Sequence, residues 1–314
     1  MINRYKHSAT LTKILFIYLS GFSFLCGQNQ NEILQIIQLD SITIEANKED
    51  TIDLKGFISM MMNDETFYKG FKNLRKVSYS FQNQISIFNK NKMEIAGYSS
   101  SAFQHYSPPC RSMTITDQRN TGDFFDSDGN YRWYTARLYD RLFFTHGSVC
   151  IDSITNAKPE MNRMEKNIEE LKRLLFSPGS RTHVPLLGDK TAIFDQEMLP
   201  FYDYRFQLDT LNGIECYLFE VEVKPEFKMK HENKTVIKKL STWFEKNDHQ
   251  IMRRDYQLAG NTMAYSFDVL MKVDLIHIKD RYLPKNISYE GTWKIFTKKR
   301  ESAKFTIVFS DFKF

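Results

Sequence analysis

Residues 265–275 read YSFDVLMKVDL, and this stretch decides the class of fold. Large apolar side chains stand at every second position from Tyr265 to Leu275, and most positions between them are polar or charged. Successive side chains of a β-strand point to opposite faces, so a period of two predicts a strand with one buried face and one wetted face. Such strands are typical of antiparallel sheets.

Similar patterns recur through most of the chain, broken by short polar turns. The pair Asn212-Gly213 predicts a tight turn, and Asn247-Asp248-His249 predicts a hairpin loop. The predicted strands are 77–88, 92–103, 110–118, 121–126, 130–138, 140–146, 148–154, 202–210, 214–224, 236–245, 250–258, 263–278, 281–291 and 302–313.

Three segments show the three- and four-residue spacing of apolar side chains that is typical of helices. They are 53–75, 158–176 and, more weakly, 190–200. The helix at 158–176 has one apolar stripe, formed by Met161, Met164, Ile168, Leu171 and Leu175. The sequence therefore predicts an α+β fold that is mostly antiparallel sheet.

The first residues indicate export. Residues 1–27 combine a basic start, a short apolar run and a small residue, Gly27, as a cleavable signal peptide does. An uncleaved membrane anchor is the alternative, although the run is short of the roughly 20 apolar residues that span a bilayer. Lipid attachment at Cys26 is disfavoured because Leu25 precedes it. A polar segment, 28–50, follows, and 51–314 is predicted to form a single β-rich domain.

Composition narrows the function. Loss of residues 1–27 removes Arg4, Lys6 and Lys13 and no acid, which lowers the net charge from +5 to about +2. A nearly neutral chain argues against nucleic acid as a partner. Aromatic residues make up 14% of the chain, enough for a sizeable core.

Three cysteines remain after the signal peptide. Cys110 and Cys150 flank predicted strands in the same half of the chain, so a disulfide between them is expected in an oxidising compartment. Cys216 lies in an apolar run and is expected to be a buried thiol. Three free buried cysteines remain the alternative.

No motif for catalysis or metal binding stands out. The chain lacks a Gly-x-Ser-x-Gly elbow, a phosphate-binding loop and a His-Glu-x-x-His pair, and its seven histidines are scattered. The loop 126–130 is similar to the first half of a calcium-binding loop, but Arg137 stands where the closing carboxylate belongs. We expect no enzyme, catalytic residue, metal or cofactor; a hydrolase with paired acids across a cleft stays an alternative.

The second half of the chain resembles a known family. The stretches LSTWFEKND (240–248) and IMRRDY (251–256), followed by Phe267-Asp268-Val269 and LPKNI (283–287), look like the LolA/LolB-type lipoprotein carriers. The likeness is to a Bacteroidetes branch of the outer membrane lipoprotein-sorting superfamily. Further stretches similar to that branch are 67–75, 131–136 and 296–301.

This resemblance implies a curled half-barrel sheet with helices covering its concave face and acyl chains sheltered between them. It implies a periplasmic carrier, or one at the outer-membrane periphery, whose partners are lipid or lipoprotein acyl chains and possibly outer-membrane proteins. The alternative is a cell-envelope scaffold whose cavity is filled by its own side chains. The expected cavity-lining residues are Phe57, Met61, Met62, Met161, Met164, Ile168 and Trp243.

Overall fold

The computed structural model describes residues 42–45, 64–150, 188–230, 234–262, 265–295 and 299–314. Within these ranges twelve strands form one sheet. Numbered along the chain, they are β1 (Ile42–Glu45), β2 (Ser78–Phe88), β3 (Glu94–Ser107), β4 (Cys110–Gly122), β5 (Val149–Cys150), β6 (Tyr202–Leu211), β7 (Ile214–Val223), β8 (Ile237–Glu245), β9 (Ile251–Asn261), β10 (Tyr265–Ile278), β11 (Arg281–Ile295) and β12 (Glu301–Lys313).

The order of the strands is mostly that of the chain. From one edge to the other it is β1-β6-β7-β8-β9-β10-β11-β12-β2-β3-β4-β5, so β6 to β12 form an uninterrupted meander. Every neighbouring pair is antiparallel except β1 and β6. The sheet is open, with β1 and β5 at its edges. The predicted class, an α+β fold dominated by antiparallel sheet, is confirmed.

Helices are few in the described part of the chain. They are α1 (Thr66–Leu74), α2 (Tyr134–Phe143) and the short α3 (Pro225–Lys230), which the sequence analysis missed. The predicted helix 53–75 is described only from residue 64 onward, and there it agrees with α1. The predicted helix 158–176 lies outside the described residues.

The predicted strands 130–138 and 140–146 are wrong, because α2 occupies this part of the chain. Aromatic and β-branched residues suggested strands, but Thr135, Ala136 and Tyr139 are buried together, at helical spacing. The Glu301 carboxylate accepts hydrogen bonds from the backbone N–H groups of Tyr134 and Thr135, at the start of α2, at 2.9 and 2.7 Å. This tertiary contact at the helix N-terminus stabilises a helix that local propensity disfavours.

Smaller differences concern the ends of elements. The predicted strand 121–126 is wrong as a separate element, because β4 runs on to Gly122, whose φ of 60° ends it. The predicted helix 190–200 is replaced by two 3₁₀ turns, Gly188–Thr191 and Leu199–Phe201. Of the predicted strand 148–154, the described part is the two-residue β5.

The two predicted hairpin turns are confirmed. Asn212 and Gly213 join β6 to β7 with φ angles of 52° and 83°, the left-handed pair that a two-residue hairpin turn requires. The turn between β8 and β9 contains Asp248 and His249, and His249 has a φ of 57°.

Strand register divides the sheet into two faces. The inner face carries, directly opposite one another across seven strands, Leu240, Tyr256, Met271, Tyr289, Phe305, Ile85 and Tyr98. One residue further along each strand, the outer face carries Ser241, Asp255, Lys272, Ser288, Thr306, Gln84 and Ser99. The first row is apolar and aromatic, and the second is entirely polar.

Candidate functional site

Helices α1 and α2 and the segment between the two 3₁₀ turns pack on the inner face. Phe67 of α1 contacts Tyr256 of β9, with ring centroids 6.4 Å apart. Tyr139 of α2 contacts Phe305 of β12 at 4.9 Å. Further along the sheet, the segment between the 3₁₀ turns places Phe194 against Tyr204 and Phe219. The inner face is therefore the face that the rest of the described chain covers.

The sheet curls toward this face. Tyr282, near the start of β11, donates its hydroxyl to Glu245 Oε2 at 3.0 Å and to Asp248 Oδ2 at 2.9 Å. Glu245 ends β8 and Asp248 lies in the β8–β9 turn, so this contact joins β11 to β8 across the inner side of β10 and β9. Burial, and then the two carboxylate contacts, raise the pKa of Tyr282 well above its ordinary value. The concave side of the sheet is the side that carries the apolar rows.

At one end of the inner face lies a continuous row of aromatic rings. Phe267 of β10 stacks on Trp293 of β11 at 5.3 Å, and Trp293 Nε1 donates to the hydroxyl of Tyr289. Tyr289 stacks on Phe305 at 4.6 Å, with the ring planes only 7° apart. Phe267, Trp293 and Tyr289 are half-buried. This row forms a half-buried apolar surface at one end of the described inner face.

Two glycines make room for these rings. A Cβ atom on Gly260 would lie 2.6 Å from the Phe267 ring, which stands directly opposite across the β9–β10 pair. A Cβ atom on Gly291 would collide with the phenol of Tyr289. Glycine inside a strand costs stability, and it is typical of places where another group approaches the backbone closely. Here the aromatic rings lie flat along the sheet because these positions have no side chain.

One charged residue lies deep on the inner face. Arg254 is 3% exposed, donates Nε to Thr242 Oγ1 at 3.1 Å and lies 4.9 Å over the ring of Phe67. Burial raises the pKa of the Asp64 carboxyl, at the start of α1, while the Thr66 hydrogen bond and the charge of Arg254 oppose that rise. These groups fix α1 to the sheet.

Trp243, which we expected to line the cavity, lies on the outer face. Its Nε1 donates to Asp209 Oδ2 at 2.8 Å, and the guanidinium of Arg253 lies 5.1 Å over its ring. The period of two explains the position, since its neighbours Thr242 and Phe244 occupy the inner face. The indole reaches from β8 to β6, so it crosses the outer side chains of β7 between them.

The other expected lining residues are Phe57, Met61, Met62, Met161, Met164 and Ile168, and all six lie outside the described residues. Sequence reasoning missed two residues of this inner-face row, Phe267 and Tyr289. The alternation around Phe267 was visible in the sequence. A signal that could have pointed to this end is Gly291 in the predicted strand 281–291, since glycine within a strand is typical of a close approach to the backbone; Gly260 falls just after the predicted strand 250–258.

Of the described cysteines, two lie at one edge of the sheet and one lies within it. Cys110 and Cys150 lie opposite each other on β4 and β5 and form a disulfide. Cys216 is free and fully buried on β7. Burial, with a contribution from Asp209, raises the pKa of the Cys216 thiol to about 11.

The described residues offer no cluster of metal ligands. Among the described residues, no group of three or more His, Cys, Asp or Glu side chains could hold a metal ion. In the calcium-like loop, Asp126 instead accepts the backbone N–H groups of Asp128 and Asn130 at 3.0 and 2.8 Å. No helix in the described ranges is both long enough and apolar enough to cross a bilayer.

No family model matches the chain, and no curated protein matches it. Among solved structures, it is similar to a DUF1329 family protein from Desulfovibrio piger, with 12% identity, a TM-score of 0.24, and coverage of 80% of this chain and 94% of that one. It is also similar to a putative outer membrane lipoprotein-sorting protein domain from Vibrio parahaemolyticus (8%, TM-score 0.26, coverage 79% and 92%). A third similar structure is a LolA superfamily protein from Nitrosomonas europaea (7%, TM-score 0.23, coverage 79% and 91%).

Two of these three belong to the group of proteins that the sequence resembles, and each match covers about four-fifths of this chain. Because the TM-scores of these matches are near 0.25, the description of the fold rests on the sheet of this chain and not on the matches.

Proposed function

We propose that this protein is a non-enzymatic lipid-binding protein of the periplasm, which shelters acyl chains of lipids or lipoproteins against the inner face of its half-barrel. The observation that carries the proposal is the half-buried aromatic row of Phe267, Trp293 and Tyr289 on the concave face. Ligand sites for apolar molecules are concave and lined mainly by hydrophobic and aromatic side chains.

The energetic reason is simple. An acyl chain in water costs roughly 0.8 kcal/mol for each CH₂ group that an apolar surface could have covered. Flat rings such as those of Phe267 and Trp293 offer such a surface at low conformational cost, because each side chain has only two rotatable bonds. No proton-transfer or covalent step is needed, which is why we propose binding and release without catalysis.

One observation favours a second candidate. The middle rows of the inner face are already well buried, with Val269 at 5% and Phe305 at 7% exposure. A protein whose inner face is filled by its own side chains would be a scaffold of the cell envelope, with no bound lipid. The two candidates differ in whether lipid accompanies the purified protein.

The test is to express the full chain with export to a bacterial periplasm, purify it without detergent, extract it with organic solvent and measure lipid by mass spectrometry. We compare Trp293→Gln with the matched Trp243→Gln, since both residues are half-buried strand tryptophans that donate one hydrogen bond. Removal of about 50 Å² of acyl contact costs roughly 1.3 kcal/mol, or about tenfold in affinity.

We therefore expect near-stoichiometric lipid on the wild-type chain and on Trp243→Gln, and severalfold less on Trp293→Gln. Thermal unfolding of all three proteins controls for folding. A folded wild-type protein that yields no lipid would overturn the carrier proposal in favour of the filled scaffold.

A further inference from the structure

One end of the sheet carries an excess of positive charge. The β2–β3 hairpin presents Lys90 and Lys92, and the β11–β12 connection presents Lys294, Lys299 and Arg300, all exposed. We call these five residues the basic tip. Register brings the two connections together, because Phe88 at the end of β2 is opposite Ser302, the second residue of β12.

No ion pair within the described part of the chain neutralises these five charges. None of the five has an ion-pair partner among the described residues, whereas nearby Lys304 pairs with Glu290 at 2.9 Å. The adjacent acid Glu301 is engaged by the N–H groups at the start of α2. The positive potential of the basic tip is therefore directed to the solvent.

The opposite end of the sheet is mixed in charge. Charges of alternating sign follow one another at the β10–β11 turn, which has Lys279, Asp280 and Arg281. The β8–β9 turn contains one cation, Lys246, and one acid, Asp248. Glu94, at the start of β3, is an exposed acid beside the basic tip, so the five cations there leave a local excess of positive charge.

Exposed apolar side chains accompany the basic tip. Met93, next to Lys92, is 57% exposed, and Ile95 is 40% exposed. Trp293, one residue before Lys294, opens the aromatic row on the inner face at this same end. Cations beside exposed apolar groups favour an anionic bilayer surface, where the charges meet lipid headgroups and the apolar groups enter the interface. An acidic protein partner would not need Met93 and Ile95.

We propose that the basic tip docks the protein on an anionic phospholipid surface. Docking at this end places the open end of the aromatic row against the bilayer. The proposal goes beyond acyl binding and does not depend on it, since the charges act whether or not a lipid occupies the inner face.

The test is co-sedimentation of the full chain with phosphatidylglycerol-containing vesicles and with pure phosphatidylcholine vesicles. The tip variant is Lys90→Gln/Lys92→Asn, and the control is Lys279→Asn/Lys313→Gln at the other end. The pair is matched, because Lys92 and Lys279 both have left-handed φ angles, 61° and 59°, which asparagine tolerates.

Each lysine near an anionic surface contributes enough that removal of two lowers vesicle partitioning by about thirtyfold. We expect binding to the anionic vesicles only, a decrease with rising salt, the thirtyfold loss in the tip variant, and little change in the control. No binding of the wild-type chain, or equal losses in both variants, would overturn the proposal. Lipid extraction is scored separately, so failure of docking is distinguishable from failure of the carrier proposal.

Discussion

The two faces of the sheet differ by a shift of one residue along each strand. Phe305 lies on the inner face, 7% exposed, stacked on Tyr289 and in edge-to-face contact with Tyr139. Thr306, the next residue, is exposed on the outer face beside Ser288 and Gln84. The backbone hydrogen bonding is the same in both cases, so differences between the faces come from their side chains. The inner face is built to hold apolar groups, and the outer face to be hydrated.

The largest expected effect comes from truncation of the inner row. Phe305→Ala removes a ring packed by two others and should lower the free energy of unfolding by about 3–5 kcal/mol. Thr306→Ala should change it by no more than about 0.5 kcal/mol. Urea denaturation followed by circular dichroism measures both, and similar losses in the two variants would mean that the faces are not distinct.

Filling the space of a glycine should have a smaller effect. Gly291→Val places methyl groups where the Tyr289 phenol lies, and should destabilise by about 1–3 kcal/mol through displaced rings. Ser288→Val, on the outer face of the same strand, is the control and should be nearly neutral. If Gly291→Val were tolerated as well as Ser288→Val, the rings could not lie flat over the glycine as described.

The outer face has a buried apolar patch on β7 that sharpens the comparison. Cys216 and Leu218 belong to the outer face of β7 but are 0% and 6% exposed, because the Trp243 indole crosses them to reach Asp209. With burial holding the pKa of Cys216 at about 11, the thiol is protonated and unreactive at neutral pH.

Trp243→Ala removes that cover and should raise the rate of thiol labelling at neutral pH by at least roughly tenfold, as the pKa falls toward its ordinary value. Trp293→Ala should leave the rate near that of the wild type. A colorimetric disulfide reagent that reacts with free thiols measures both rates on the folded protein. Equal acceleration by the two substitutions would indicate general loosening of the fold and not a local cover.

Much of the fold was predictable from the sequence, and the reason is local. The alternation around Phe267 and the Asn212-Gly213 turn specify strands and hairpins through side-chain period and backbone preference alone. Helix α2 was missed because its stability comes from Glu301, far along the chain, and from packing on Phe305. Trp243 was assigned to the cavity from its residue type, although the period of two already placed it on the other face of the sheet from Phe244.

The most direct test of the central claim uses the tryptophans as reporters of the two faces. The chain has three, so Trp133→Phe/Trp243→Phe leaves only Trp293, and Trp133→Phe/Trp293→Phe leaves only Trp243. Each delipidated protein is titrated with a fatty acid brominated on its acyl chain, which quenches fluorescence only at close contact. We expect saturable quenching of Trp293 and none of Trp243. Equal quenching of both, or quenching of Trp243 alone, would contradict acyl binding on the inner face, and no quenching of either would mean that the inner face is closed to acyl chains.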